Sequence, residues 1–100
     1  MKAEEGQGTH DPLAADAVRR KRILFRCWHR GMKEMDLLLG GFAQAQIETL
    51  TTAELDELED LLDINDQDLF SWMTGRTPVP AERDRPLYRR ILAFHADKPF

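Results

Sequence analysis

From Leu13 onward apolar residues recur every three or four positions, and nowhere do they alternate strictly as in a half-buried strand. The pattern predicts five short helices. The first spans about Leu13 to Arg30, with an apolar stripe of Ala14, Ala17, Val18, Leu24, Phe25 and Trp28 interrupted by Lys21. Asp16 stands near its start and a run of bases follows toward its end, in accord with the helix dipole. Gly31 then offers a break or a cap. The second helix runs from about Met32 to Ile47 and turns Met35, Leu38, Leu39, Phe42 and Ile47 inward. Gly40 and Gly41 fall inside it and weaken it by about 1 kcal/mol each relative to alanine. They mark either a kink or a close helix–helix contact.

The later helices carry explicit boundaries. Thr51 and Glu54 have capping-box spacing, with Leu50 and Leu55 as the hydrophobic staple, and Leu55, Leu58, Leu61 and Leu62 line one face. Asn65 repeats the device as N-cap, with Asp68 three residues on and Ile64 and Leu69 flanking it. Phe70, Trp72 and Met73 follow, and Gly75 closes the fourth helix. Two prolines in Arg76–Pro80 prevent a continuous helix. The fifth helix is expected to start at Asp84, since Pro86 is tolerated only in a first turn, and to bury Leu87, Ile91 and Phe94 on its way to about Ala96. None of these helices is long enough to persist alone in water. The expectation is an all-α, compact bundle of five short helices over residues 13–96, between a flexible tail at 1–12 and a short tail at 97–100.

At 100 residues and 11.6 kDa the chain makes one domain. Its single cysteine, Cys27, excludes an internal disulfide and suits a reducing compartment. No apolar run approaches membrane-spanning length, and the first residues resemble neither a secretory signal nor a transit peptide. The expected location is cytoplasmic.

Net charge is only -4, but the charges are segregated. Arg19, Arg20, Lys21, Arg22, Arg26, Arg30 and Lys33 lie together without an acid. Nine acids from Glu48 to Asp68 lie together without a base. Three readings follow: two solvated faces that attract each other within the bundle, a polarised surface that orients a larger partner, or phosphate contact by Arg19–Arg22. The last would make the chain a small helical nucleic-acid or regulatory binding module. It is weakened by the missing aromatic interleaving and by the acidic run.

No catalytic constellation stands out. There is no HExxH, CxxC or glycine-rich phosphate loop, and His10, His29 and His95 are scattered. Cys27 and His29 are two apart on a helix and point away from each other. The stretch Arg30-Gly31-Met32-Lys33-Glu34 between the first two helices has a plain structural reading: Gly31 as the turn, Arg30 satisfying carbonyls at the end of the first helix, and Glu34 reaching back to the turn's backbone N–H.

The same stretch also resembles the signature of the succinate dehydrogenase assembly factor family of the SdhE type, an Arg-Gly-x-x-Glu motif between the first two helices. Asp36 follows in place, then a leucine-rich acidic helix, then Asn65-Asp66-Gln67-Asp68-Leu69-Phe70-Ser71-Trp72-Met73 closed by Gly75, then a final helix after a proline loop. The likeness runs from about Arg19 to Ala96. It implies an assembly factor or chaperone, not an enzyme. Such a protein binds the flavoprotein subunit of succinate dehydrogenase (in some bacteria also that of fumarate reductase) and promotes covalent attachment of FAD to a histidine there. The bond forms in the partner, so no cofactor is bound stably by the chain itself: the FAD belongs to the partner flavoprotein. The resemblance assigns partner binding to Arg30, Gly31, Met32, Glu34 and Asp36, and to Asp68 and Trp72, with Phe70 in the core. It implies no nucleic acid, a monomer when free, and a bacterial cytoplasm. A flavin-binding protein in its own right is a third reading, and it predicts a yellow preparation.

Overall fold

The computed structural model describes residues 12–96, so the expectations for the two tails, His10 among them, lie outside the described residues. Helix α1 spans Pro12–Trp28, α2 Lys33–Gln46, α3 Thr52–Leu62, α4 Asp66–Met73 and α5 Pro86–His95. Short 3₁₀ turns at Ile47–Thr49 and Ala81–Arg83 precede α3 and α5. The fold is all-α, with no strand among the described residues. No described helix is long and apolar enough to cross a membrane.

The local signals translate directly into helix starts. Thr51 Oγ1 accepts from the Glu54 N–H at 3.1 Å, and the Glu54 carboxylate accepts from the Thr51 N–H at 2.8 Å. Asn65 accepts from the Asp68 N–H at 2.9 Å and opens α4. Gly75, at φ +79°, ends α4 in the left-handed conformation that glycine adopts without steric cost. Helix α5 begins at Pro86 and not at Asp84. Arg85, as the residue before proline, is held extended at φ −106° and ψ 165°, which separates the helix from the turn before it.

One core joins all five helices. It centres on Phe42, Met35, Leu39, Leu55, Leu58, Leu69, Leu87 and Ile91, all essentially inaccessible to solvent. In α1 the expected stripe holds only in part: Leu24 packs against the core and Trp28 against Gly40. The buried residues are Ile23 and Cys27, whereas Val18 and Phe25 are 58% and 62% exposed and Ala17 is exposed too. The inner face of α1 is flanked by arginines whose heads bond acids of α3 and its C-cap, so apolar letters alone do not mark it. The helix also stops at Trp28, two residues before the expected end.

Gly40 resolves the alternative left by the sequence. Helix α2 runs through both glycines as one element, and Gly40 is the close contact. A Cβ there would meet three carbons of the Trp28 indole at less than 3.0 Å. Trp28 is held in place by its Nε1–H, which donates to Gln44 Oε1 at 3.3 Å. Gly40→Ala is therefore expected to destabilise the fold by about 2 kcal/mol, as overpacking does, despite alanine's better helix propensity. Urea unfolding followed by tryptophan fluorescence measures this. Gly41→Ala is the control, because a Cβ there makes only ordinary contact with His95, at 3.6 Å.

Candidate functional site

Four residues, His29–Met32, connect α1 to α2, and Arg30 organises them. Its backbone N–H donates to Asp36 Oδ1 at 2.6 Å. Its Nε–H donates to Asp66 Oδ1 at 2.7 Å. Its two terminal nitrogens donate to the carbonyls of Leu62 and Ile64. The Arg30 side chain is 9% exposed and that of Asp66 18%. Arg30 thus caps the C-terminal end of α3, not of α1 as the plain reading expected, and ties the α1–α2 junction to the α3–α4 junction. Asp36, and not Glu34, makes the bond back to the connection.

The consequence lies on the surface. Arg30 draws together two segments far apart in sequence, so that Gly31, Met32, Lys33 and Glu34 line one side of an open groove and Asn65, Asp66, Gln67 and Asp68 the other. Met32 is half-buried, and with Gln67 it continues the groove toward Phe70, Ser71 and Arg76. Gly31 sits at φ +98°, and a Cβ on it would meet nothing within 4 Å. Its backbone conformation calls for glycine, and the space beyond it is open. Glu34 is exposed, and its side chain makes no hydrogen bond or ion pair with any described residue; the same holds for the Lys33 side chain. Asp68 is exposed and its carboxylate accepts from the Asn65 side-chain amide at 2.8 Å. Trp72 and Phe70 are both half-buried and pack against the core, with the Arg76 guanidinium over the Phe70 ring. The acids in the first turns of α2 and α4 complement the helix dipoles there.

Much of the charge segregation is consumed inside the fold. Arg19 bonds Asp56 and Glu59, each at 2.6 Å, Arg26 bonds Asp63 at 3.2 Å, and Arg20 bonds Asp16 at 2.6 Å and the Ile47 carbonyl. The basic helix and the acidic helix attract each other, as the first of the three readings had it. A polyphosphate would have to displace two of the four cations in Arg19–Arg22 from carboxylates.

Cys27 and His29 form no nucleophile–base pair. Cys27 faces the core and His29 the solvent, where it stacks on Phe25 with centroids 3.9 Å apart. Burial pushes the Cys27 thiol up to about 12, so it stays protonated and unreactive at neutral pH. Among the described residues no three His, Cys, Asp or Glu side chains converge as metal ligands. The contribution of Asp66 was missed by sequence reasoning. Its partner Arg30 is 36 positions away, and no local pattern joins them.

Comparison with known proteins places the chain in a family. Residues 21–95 match the family described as Sdh5, flavinator of succinate dehydrogenase. The "FAD assembly factor SdhE" of Acetobacter pasteurianus is 43% identical over 76 residues, covering 76% of this chain and 70% of that protein. The "Succinate dehydrogenase assembly factor 2, mitochondrial" of Mycosarcoma maydis is 47% identical over 60 residues, and that of Dictyostelium discoideum 43% over 72. The matches cover 60% and 72% of this chain. This chain spans a quarter and about half of those two longer proteins. The Arg30-Gly31-x-x-Glu34 junction and the Asn65–Gly75 segment both fall inside the matched residues, and the chain belongs to the family of succinate dehydrogenase flavinators.

Proposed function

We propose that this chain is an assembly factor that docks on the flavoprotein subunit of succinate dehydrogenase and promotes covalent attachment of FAD to that subunit. The observation that supports this most is the groove at one end of the bundle. There Arg30 brings the two family segments side by side, with an open Gly31 and an unpaired Glu34 on the outside.

Each residue has a defined part in this reading. Gly31 lets the partner's surface approach the backbone, and a bulky side chain there would hold the surfaces apart. Met32 supplies adaptable apolar contact. Glu34 presents a carboxylate to the partner, as does Asp68, and Trp72 borders the docking face. Arg30 and Asp36 bond each other and the rest of the fold, so they act by shaping the groove rather than by touching the partner. FAD stays with the flavoprotein, and the new bond forms there. The chain contributes by binding the flavoprotein only in the domain arrangement that holds histidine and flavin together. This raises the population of the competent state and supplies positioning worth several kcal/mol of barrier.

Glu34→Ala tests the reading without disturbing the fold. The Glu34 side chain makes no hydrogen bond or ion pair within the bundle and gives up only its interaction with the α2 dipole, so stability should fall by no more than about 1 kcal/mol. Loss of a charge-assisted bond to the partner should weaken the complex roughly tenfold. Covalent flavin in the partner, read as in-gel fluorescence, should fall with it. Undiminished fluorescence would remove Glu34 from the docking face.

A further inference from the structure

Helix α1 carries a second stripe that the core does not absorb; at its end Phe25, stacked on His29, borders a hollow it shares with Asn65 and Asp66 beside the groove. Ala14, Val18, Lys21 and Phe25 are spaced four, three and four residues apart, which is the a/d spacing of a helix–helix seam. The stripe lies opposite Ile23 and Cys27, and Val18 and Phe25 stand out in solvent from it. Lys21, inside the stripe, and Arg22 beside it are exposed and have no ion-pair partner among the described residues. The neighbouring Arg19, Arg20 and Arg26 are all paired. A charged residue within an otherwise apolar seam selects the partner by charge.

We propose that this outer face of α1 is a docking surface for an acidic amphipathic helix of a partner protein. That helix would lay apolar residues over Val18 and Phe25 and carboxylates against Lys21 and Arg22. From Ala14 to Phe25 the seam is about 17 Å long, three turns of helix. Charge favours a helix over a broader anionic surface. Asp56 and Asp63, 63% and 77% exposed, stand beside the same helix through their pairs with Arg19 and Arg26. These acids border the free Lys21–Arg22 pair, so the cationic patch is narrow and suits the carboxylates of one helix better than a broad anionic layer. A second copy of the chain on the same face would bring two Lys21–Arg22 pairs together.

The probe is a labelled synthetic peptide of three heptads, with leucine at a and d and glutamate at e and g, whose own glutamates keep it from self-pairing. It is titrated against the full chain by fluorescence anisotropy. The expected result is saturable binding that Phe25→Ser weakens at least about tenfold. Lys21→Glu with Arg22→Glu should transfer preference to the matching lysine peptide. Unchanged circular dichroism confirms that these exposed substitutions leave the fold intact. Gly31→Arg should not alter peptide binding, which separates this surface from the groove. The proposal is overturned if no binding occurs up to the peptide's solubility limit, if Phe25→Ser has no effect, or if Gly31→Arg abolishes binding. It is equally overturned if Phe25→Ser instead abolishes cosedimentation with phosphatidylglycerol vesicles or a dimer seen in sedimentation equilibrium, either of which would name a different occupant.

Discussion

Arg30→Ala is expected to destabilise the fold by about 3 kcal/mol, the scale of breaking one side of a buried ion pair. The substitution strands Asp66, which is only 18% exposed, and leaves the Leu62 and Ile64 carbonyls without their donor. Arg30→Lys should recover only part of the loss. A single ammonium cannot serve a carboxylate and two carbonyls in the fork geometry that the guanidinium uses. Chemical unfolding of Arg30→Ala, Asp66→Ala and the double variant measures the coupling, expected between 1 and about 3 kcal/mol. Additive effects would mean that the two junctions are joined by something else. The same loss should reach function, because both sides of the groove depend on this clasp.

Gly31→Arg should eliminate the complex with the flavoprotein while the helical circular dichroism stays intact. The side chain meets open space, so the only internal cost is the left-handed backbone, about 1–2 kcal/mol. Gly31→Ala carries the same backbone strain with almost none of the bulk, and it should keep measurable binding. Native mass spectrometry of the three proteins with purified flavoprotein subunit separates the effects. If alanine is as damaging as arginine, Gly31 acts through conformation and not through close approach.

The features that could be read from the sequence are local ones. The Thr51–Glu54 and Asn65–Asp68 caps involve residues three apart, and they form as their spacing requires. The leucine face of α3 was legible for the same reason. Two things were not. Part of the phase of α1 was hidden because its inner face is bordered by arginines that bond acids of the α3 region. The stripe that looked like core, Val18 and Phe25, is solvent-facing. The internal role of Arg30 was hidden because its acceptors lie on other elements, 32 to 36 positions away. At the site, the motif residues were visible as letters. That Arg30 and Asp36 turn inward while Gly31 and Glu34 face out is a tertiary fact.

The most direct test of the central claim is to titrate the ¹⁵N-labelled chain with purified succinate dehydrogenase flavoprotein subunit and follow its amide resonances. Broadening and shifts centred on Gly31–Glu34 and Asn65–Asp68 are the predicted result. A complex that perturbs other faces and leaves those two segments untouched, or no complex at all, would contradict it.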